Sequence, residues 1–500
     1  MRGRPLIAGV ILGGLLAAAP IAEASTVSHS GSRITYTASA GEQNHLVVSK
    51  APAGPAGITR ISLRDEGAIV IVPTTPGPFG ACIPVDQHEV MCNQRDTVSE
   101  VRANLGDGDD YARIGVGFGQ LFGGAGDDEL HGGPATFGDT IQGGAGNDIL
   151  NGGGGANDQI AYNDRSVPVT VDLQLGIGGA AGETDTLTGF EDIFGGSAGD
   201  TLKGGDTAAQ YIISGGNGND VIEGGSARVV GWGGNGDDVL TGGAGTDQLE
   251  GGNGADVIGG SGGGDTVNYY ARITDVNVSL DGIANDGVRG EGDNVLPQVG
   301  AILSGHNHDA IDASAATGPM FIEGREGNDT IIGSAFADRI EGGKETDVIF
   351  GGDGDDSIHG EQPGAARASG RDEIHGGAGI DTYTTLDDDP ARVGTAGVTI
   401  DLDGVADDGF PGEEDNIFDD VENIVASRYA DHVTGSAAVN VLTGLGGNDT
   451  LLGGDADDTL SGGEGDDTLD GQAGADTIEC GPGVDVVIPD LLDALSGDCP

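Results

Sequence analysis

The chain has few aromatic residues and few basic ones. Phe, Tyr and Trp make up 4% of 500 residues, and 21 Lys and Arg stand against 82 Asp and Glu, a formal net charge of −61. So little bulk argues against an ordinary globular enzyme and leaves either disorder or a thin aliphatic interior. The charge excludes non-specific binding to nucleic acid or to an anionic membrane surface; cations or a basic partner are the natural counter-ligands. The four cysteines show no CxxC spacing and no accompanying histidine cluster, which disfavours a thiolate metal site. HExxH is missing, and no long apolar run follows residue 24, so no membrane span is expected.

The first 24 residues read as a signal peptide. Arg2 and Arg4 precede an apolar run, Leu6 to Ala19, that is too short to cross a bilayer, and Ala22-Glu23-Ala24 fits a small-x-small cleavage site. Gly3 between the arginines favours the general secretory route, and Ser25 rather than Cys argues against a lipid anchor. The expected location is secreted and extracellular, where cysteines oxidise. Four cysteines allow three pairings; proximity favours Cys82–Cys92 and Cys480–Cys499.

What is abundant is glycine, 99 residues, and it is periodic. The stretch GGNGDDVLTGGAGTDQLEGGNGADVIG, residues 233–259, repeats one nine-residue phrase, G-G-x-G-x-D-x-U-x with U aliphatic. An aspartate is followed two positions on by an aliphatic residue: Asp238/Leu240, Asp247/Leu249, Asp256/Ile258. The candidate metal ligands at this place are Asp110, Asp128, Asp139, Asp148 and Asp158, then Asp200, Asp220, Asp238, Asp247, Asp256 and Asp265. Next come Asp329, Asp338, Asp347, Asp356, Asp372 and Asp381, and finally Asp449, Asp458, Asp467, Asp476 and Asp485. A disordered acidic linker has no reason to keep that offset through insertions such as Pro134–Phe137 and Pro363–Gly370.

The expected organisation is a signal peptide (1–24), a small N-terminal β domain (25–100) and four repeat blocks (101–161, 200–268, 309–384 and 431–488). Connectors fill 162–199, 269–308 and 385–430, and a disulfide cap ends the chain (489–500). The connectors resemble one another. Val276, Val278 and Leu280 recur as Val398, Ile400 and Leu402, and more loosely as Val169, Val171 and Leu173; Glu191 and Asp200 recur as Glu422 and Asp431. They read as longer strands inserted between blocks.

The residue types in the repeat have physical reasons. Glycines at the first, second and fourth places permit positive φ and close backbone approach, turning carbonyl oxygens inward beside the sixth-place carboxylate. Ca²⁺ takes about six to eight oxygen ligands, more than one turn supplies, so two stacked coils are needed. The aliphatic residue two positions on faces the same side of a short strand, and stacked coils line such residues into a narrow core.

This pattern resembles the haemolysin-type calcium-binding nonapeptide repeat, the repeats-in-toxin (RTX) family of secreted bacterial proteins, over roughly residues 106–487. The resemblance implies an all-β parallel β-roll or β-solenoid, two nonapeptides per coil, with several Ca²⁺ ions held by sixth-place aspartates and turn carbonyls. The firmest ligands it implies lie in unbroken units: Asp128, Asp148, Asp220, Asp238, Asp247, Asp256, Asp347, Asp356, Asp458 and Asp467. Residues 204–214 and 224–232 lack the acid, and Asn440 replaces it in another unit. Cys480 takes the first glycine place of the last unit and would tie it to Cys499.

Competing chemistry is weaker. GxSxG occurs around Ser197 and Ser261, inside or beside the glycine rhythm and without the strand-to-helix elbow that a serine nucleophile needs. His131, His359 and His375 hold ninth places and are expected to face solvent; His306 and His308 lie in a connector. The expectation is a calcium-binding structural or interaction module, not an enzyme, with calcium ions and an extracellular matrix or cell-surface component as partners. The alternative is a secreted enzyme or toxin-like protein whose activity lies outside the repeats.

Overall fold

A computed structural model describes residues 25–30, 33–51, 59–65, 70–71, 82–84, 89–94, 100–115, 117–134, 138–262, 264–361, 370–385 and 396–500. The leader read over residues 1–24 lies outside the described residues, as do most of both insertions. Described residues fall into two compact units, one up to Gly155 and one from Ala156 onward. Among them there is no helix: strands and turns account for the regular structure.

In the second unit most strands are three to eight residues long and pair in parallel. Ile222 lies opposite Leu240, and Leu240 opposite Ile258. On a second ladder Ile213, Gly231, Leu249 and Val267 follow one another. Partners within each ladder are two nonapeptides apart, so alternate repeats feed alternate sheets. Within Val239–Thr241 only Leu240 is buried. This alternation follows from the pleat, which sends successive side chains to opposite faces. The core is therefore the narrow aliphatic stack expected, with Leu249, Ile258, Val267, Ile340 and Ile349 all fully buried.

The connectors are built differently from expectation. They do not insert long strands between blocks; their short strands are shared between ladders. In the second connector, Asn294–Val295 pairs with Val257–Gly259 and closes the preceding ladder. Val276–Ser279, earlier in the chain, pairs with Ala310–Asp312 and opens the next. The third connector repeats the exchange: Asn416–Ile417 closes a seven-stranded sheet and Thr399–Asp401 opens a five-stranded one. The opposite ladder runs straight past, Val267 pairing with Ile302 and Tyr383 with Ile424.

In the first unit the N-terminal strands join the repeat ladders. Arg33–Thr37 pairs in parallel with Glu100–Asp107, and His45–Ala51 with Tyr111–Ile114, so Ile34 and Leu46 continue the buried rows of Val101 and Ala112. Cys82 lies directly opposite Cys92 in an antiparallel pair and is disulfide-bonded; the side chain of Cys92 is outside the described residues. Cys480 and Cys499 form a disulfide with Cα atoms 5.2 Å apart.

Candidate metal centre

The unit Gly233–Asp238 shows how the turn is made. Gly234 and Gly236 have φ of 113° and 134°, a region that side chains disfavour. A Cβ on Gly234 would lie 2.1 Å from the carbonyl oxygen of Gly216 in the preceding coil. At Gly233 a Cβ would fall 2.4 Å from both Asp238 Oδ2 and the Gly251 carbonyl oxygen of the following coil. The same convergence recurs at Gly453, where Asp458 Oδ2 and the Gly471 oxygen are each 2.6 Å from that point. Glycine is required because oxygens crowd the space a side chain would fill.

The sixth-place acids form hydrogen-bonded rows. The Asp220 amide donates to Asp238 Oδ1 at 2.7 Å, and the Asp238 amide donates to Asp256 Oδ1 at 2.8 Å. Further along, Asp431 donates to Asp449, Asp449 to Asp467, and Asp467 to Asp485, at 2.9 to 3.1 Å. One oxygen of each carboxylate is thus committed to tying coils together.

The other oxygen is buried and has no hydrogen-bond partner in Asp110, Asp128, Asp220, Asp238, Asp247, Asp256, Asp329, Asp356, Asp381, Asp449, Asp458, Asp467 and Asp476. A buried charged acceptor left unpaired costs upwards of about 1–3 kcal/mol. Burial accordingly raises these acids: Asp128 and Asp329 to about 8, and Asp238, Asp356 and Asp449 to about 7, with neighbouring aspartates adding to the rise. A hard cation removes the penalty, and carboxylate plus main-chain carbonyl is the donor set that Ca²⁺ prefers. No three His, Cys, Asp or Glu side chains converge as a metal group among the described residues. That fits a site whose remaining donors are backbone oxygens.

Other predicted acids sit in the same rows but are satisfied by the protein itself. Gly133 N–H donates to Asp139 Oδ2 at 2.7 Å, Ser261 N–H to Asp265 Oδ2 at 3.2 Å, and the amides of Gly196 and Ser334 donate to Asp200 and Asp338. Asp148, Asp347 and Asp372 are buried members of the rows, with Oδ1 accepting from Asp128, Asp329 and Asp347. Asp158 is buried, and its amide donates to Glu191. Asp485 ends its row.

Several row members were not among the predicted ligands. Asp293 accepts the Asp256 amide at 3.0 Å, Asp415 the Asp372 amide at 2.9 Å and Asp493 the Asp476 amide at 3.2 Å. Glu191 and Glu422 do the same for Asp158 and Asp381. A usable signal was present: Asp293/Val295, Asp415/Ile417, Glu191/Ile193, Glu422/Ile424 and Asp493/Leu495 keep the offset of two without the glycines.

The ninth-place histidines are half-buried rather than freely solvated. His375 stacks on Phe350 and Phe418, with ring centroids 4.7 and 3.8 Å away. His131 lies 2.8 Å from Glu129.

A parallel β-roll whose glycine turns aim carbonyls and one carboxylate oxygen into the gap between coils defines a calcium-binding repeat module. Sequence comparison agrees: the family model for the RTX calcium-binding nonapeptide repeat matches residues 136–158, 212–227, 232–267, 323–358, 368–383, 418–451 and 452–487. RTX calcium-binding nonapeptide repeats thus occur in several copies along the chain. Comparison with curated proteins gives no match.

Proposed function

We propose that this is a secreted protein whose β-roll folds on extracellular Ca²⁺ and then serves as a rigid structural or interaction module. The observation that carries the reading is the row of buried, partnerless Oδ2 atoms running from coil to coil. Without metal those acids must be protonated or left uncompensated; with millimolar external calcium they are neutralised, and metal-binding free energy becomes folding free energy. The leader-like first 24 residues and the Cys480–Cys499 disulfide support an oxidising, extracellular destination. Its partners in this reading are calcium ions and a matrix or cell-surface component.

We also propose that the chain is not an enzyme. Ser197 lies in a turn and donates its hydroxyl to the Arg165 carbonyl at 3.1 Å, and the Ser261 amide is bound to Asp265. Neither has the elbow that activates a serine nucleophile. Expression of the full chain in a bacterial host tests both export and switching. The reading expects a product in the medium beginning at Ser25, protease-resistant in 1 mM calcium and degraded in chelator. A cell-retained product, or equal resistance in chelator, contradicts it.

A further inference from the structure

Two connectors place bulky polar side chains where the ordinary units have a glycine turn. Where the second block ends, Val267 stands opposite Leu249, which places Tyr269 where the preceding coil has Gly251, the first glycine of its unit. The side chain that a glycine excludes elsewhere is present here. Tyr269 is buried, and its hydroxyl donates to Asp293 Oδ2 at 3.0 Å. Asp293 Oδ1 meanwhile accepts the Asp256 amide, as in an ordinary unit. The oxygen left partnerless in Asp220, Asp238 and Asp256 is therefore satisfied in Asp293 by a phenol.

A cation sits beside it. Arg272 donates to the carbonyl of Gly252 and, at 3.1 Å, to Asn253 Oδ1, and it pairs with Glu291 at 3.1 Å. Gly252 is the second glycine of its turn, and its counterparts in the two preceding coils, Gly216 and Gly234, direct their carbonyls at the next glycine in the row. Past the connector, Arg325 holds the second glycine place of its own unit at φ 80°, with its guanidinium 3.6 Å from the Tyr270 ring centroid. In a chain with only 21 Lys and Arg, two arginines thus serve one junction, Arg272 on the Gly252 carbonyl and Arg325 over the Tyr270 ring.

The first connector repeats the tyrosine–carboxylate bond and the arginine–glutamate pair. The Tyr162 hydroxyl donates to Asp185 Oδ2 at 2.7 Å, and Arg165 pairs with Glu183 at 2.9 Å. The backbone N–H of Arg165 donates to the Tyr162 carbonyl and that of Arg272 to the Tyr269 carbonyl, both at 2.8 Å. In the third connector Thr385 makes the main-chain bond that Tyr162 and Tyr269 make, so the phenol is not repeated there.

We infer that at the first two connectors a tyrosine hydroxyl and an arginine guanidinium stand in for calcium, so that the metal is carried in separate strips divided by metal-independent junctions. Electrostatics favours the arrangement: the guanidinium supplies fixed positive charge and donors to carbonyl and carboxylate oxygens without a diffusible ion. The inference rests on calcium filling the ordinary turns.

Amide hydrogen exchange of the full chain at graded free calcium tests it. In chelator the junction strands Val276–Ser279 and Asn294–Val295 should exchange roughly tenfold or more slowly than Val221–Glu223 and Val239–Thr241, the gap closing as calcium is added. Equal exchange in chelator, with both sets protected together by calcium, overturns the inference and leaves the calcium reading intact. Calcium-insensitive exchange everywhere defeats the calcium reading itself. A second measurement counts bound calcium by equilibrium dialysis of the Tyr269→Gly, Arg272→Gln double variant. A gain over the parent is expected, and an unchanged count in a variant that folds in calcium overturns the inference. If that variant does not fold, the exchange result on the parent chain decides.

Discussion

The amide of Asp238 donates to Asp256 Oδ1 at 2.8 Å, while Asp256 Oδ2 stays buried without a partner. One carboxylate thus has two distinct oxygens: one fixes the register between coils and the other is the candidate calcium ligand.

Asp238→Asn keeps an oxygen for the Asp220 amide but replaces the partnerless oxygen with a donor. The chain already contains this change: Asn440 holds a sixth place, and its Nδ2 donates to the Glu422 carbonyl at 2.8 Å. Loss of one charged ligand should raise the calcium concentration needed to fold that strip by roughly tenfold or more. A calcium titration followed by circular dichroism checks it, and an unchanged midpoint would remove Asp238 from the metal site.

The acids also set a pH dependence. Asp128 and Asp329 rise to about 8, and Asp238 and Asp356 to about 7, from an ordinary value of 3.8. A folded-state value above the unfolded one means stability that is fully present below about pH 4 and is lost as pH climbs through 7 to 8. In chelator, thermal unfolding should therefore occur at a higher temperature at pH 4.5 than at pH 8. Saturating calcium should reverse the order, because metal and proton compete for the same oxygen.

Two glycine substitutions separate strain from crowding. Gly282 has φ 75° with nothing within 4 Å of a new Cβ, so Gly282→Ala should cost about 1 kcal/mol. At Gly234 the new atom would lie 2.1 Å from a backbone oxygen, and Gly234→Ala should cost roughly 3 kcal/mol or more. Denaturant unfolding in calcium measures both, and similar losses would contradict the close stacking of turns.

The Cys480–Cys499 disulfide spans a sequence separation of 19 residues around the last coil. Cys499→Ser should loosen the pairing of Ala494–Leu495 with Thr477–Glu479 at a cost of about 3 kcal/mol, seen as faster hydrogen exchange there. Unaltered exchange would mean the end is held by the ladder alone.

The repeats were legible because two demands, metal at the turn and an aliphatic side chain in the strand, fix one offset. Ile222, Leu240 and Ile258 stack as that offset requires. The connectors were harder to read. Val276–Ser279 opens a ladder while the later Asn294–Val295 closes the preceding one, and an exchange of partners between non-adjacent segments leaves no local periodicity. The distinction between partnerless acids and Asp139 or Asp200 depends on whether a backbone amide reaches Oδ2, a matter of turn geometry. Arg325 in a glycine place at φ 80° could not be anticipated from a pattern that expects glycine there. His375 was expected to face solvent because ninth places point outward. It does point outward, but Phe350 on the neighbouring strand and Phe418, just past the end of Asn416–Ile417, stack on it and cover it.

The most direct test is far-ultraviolet circular dichroism of the chain from Ser25 onward at pH 7.5, first in chelator and then titrated with magnesium and with calcium. The account predicts a cooperative gain of β signal with calcium and none with magnesium, which demands a tight octahedral shell and gives up its water reluctantly. A spectrum that calcium leaves unchanged would contradict the claim that the partnerless Oδ2 oxygens are metal ligands on which the roll folds.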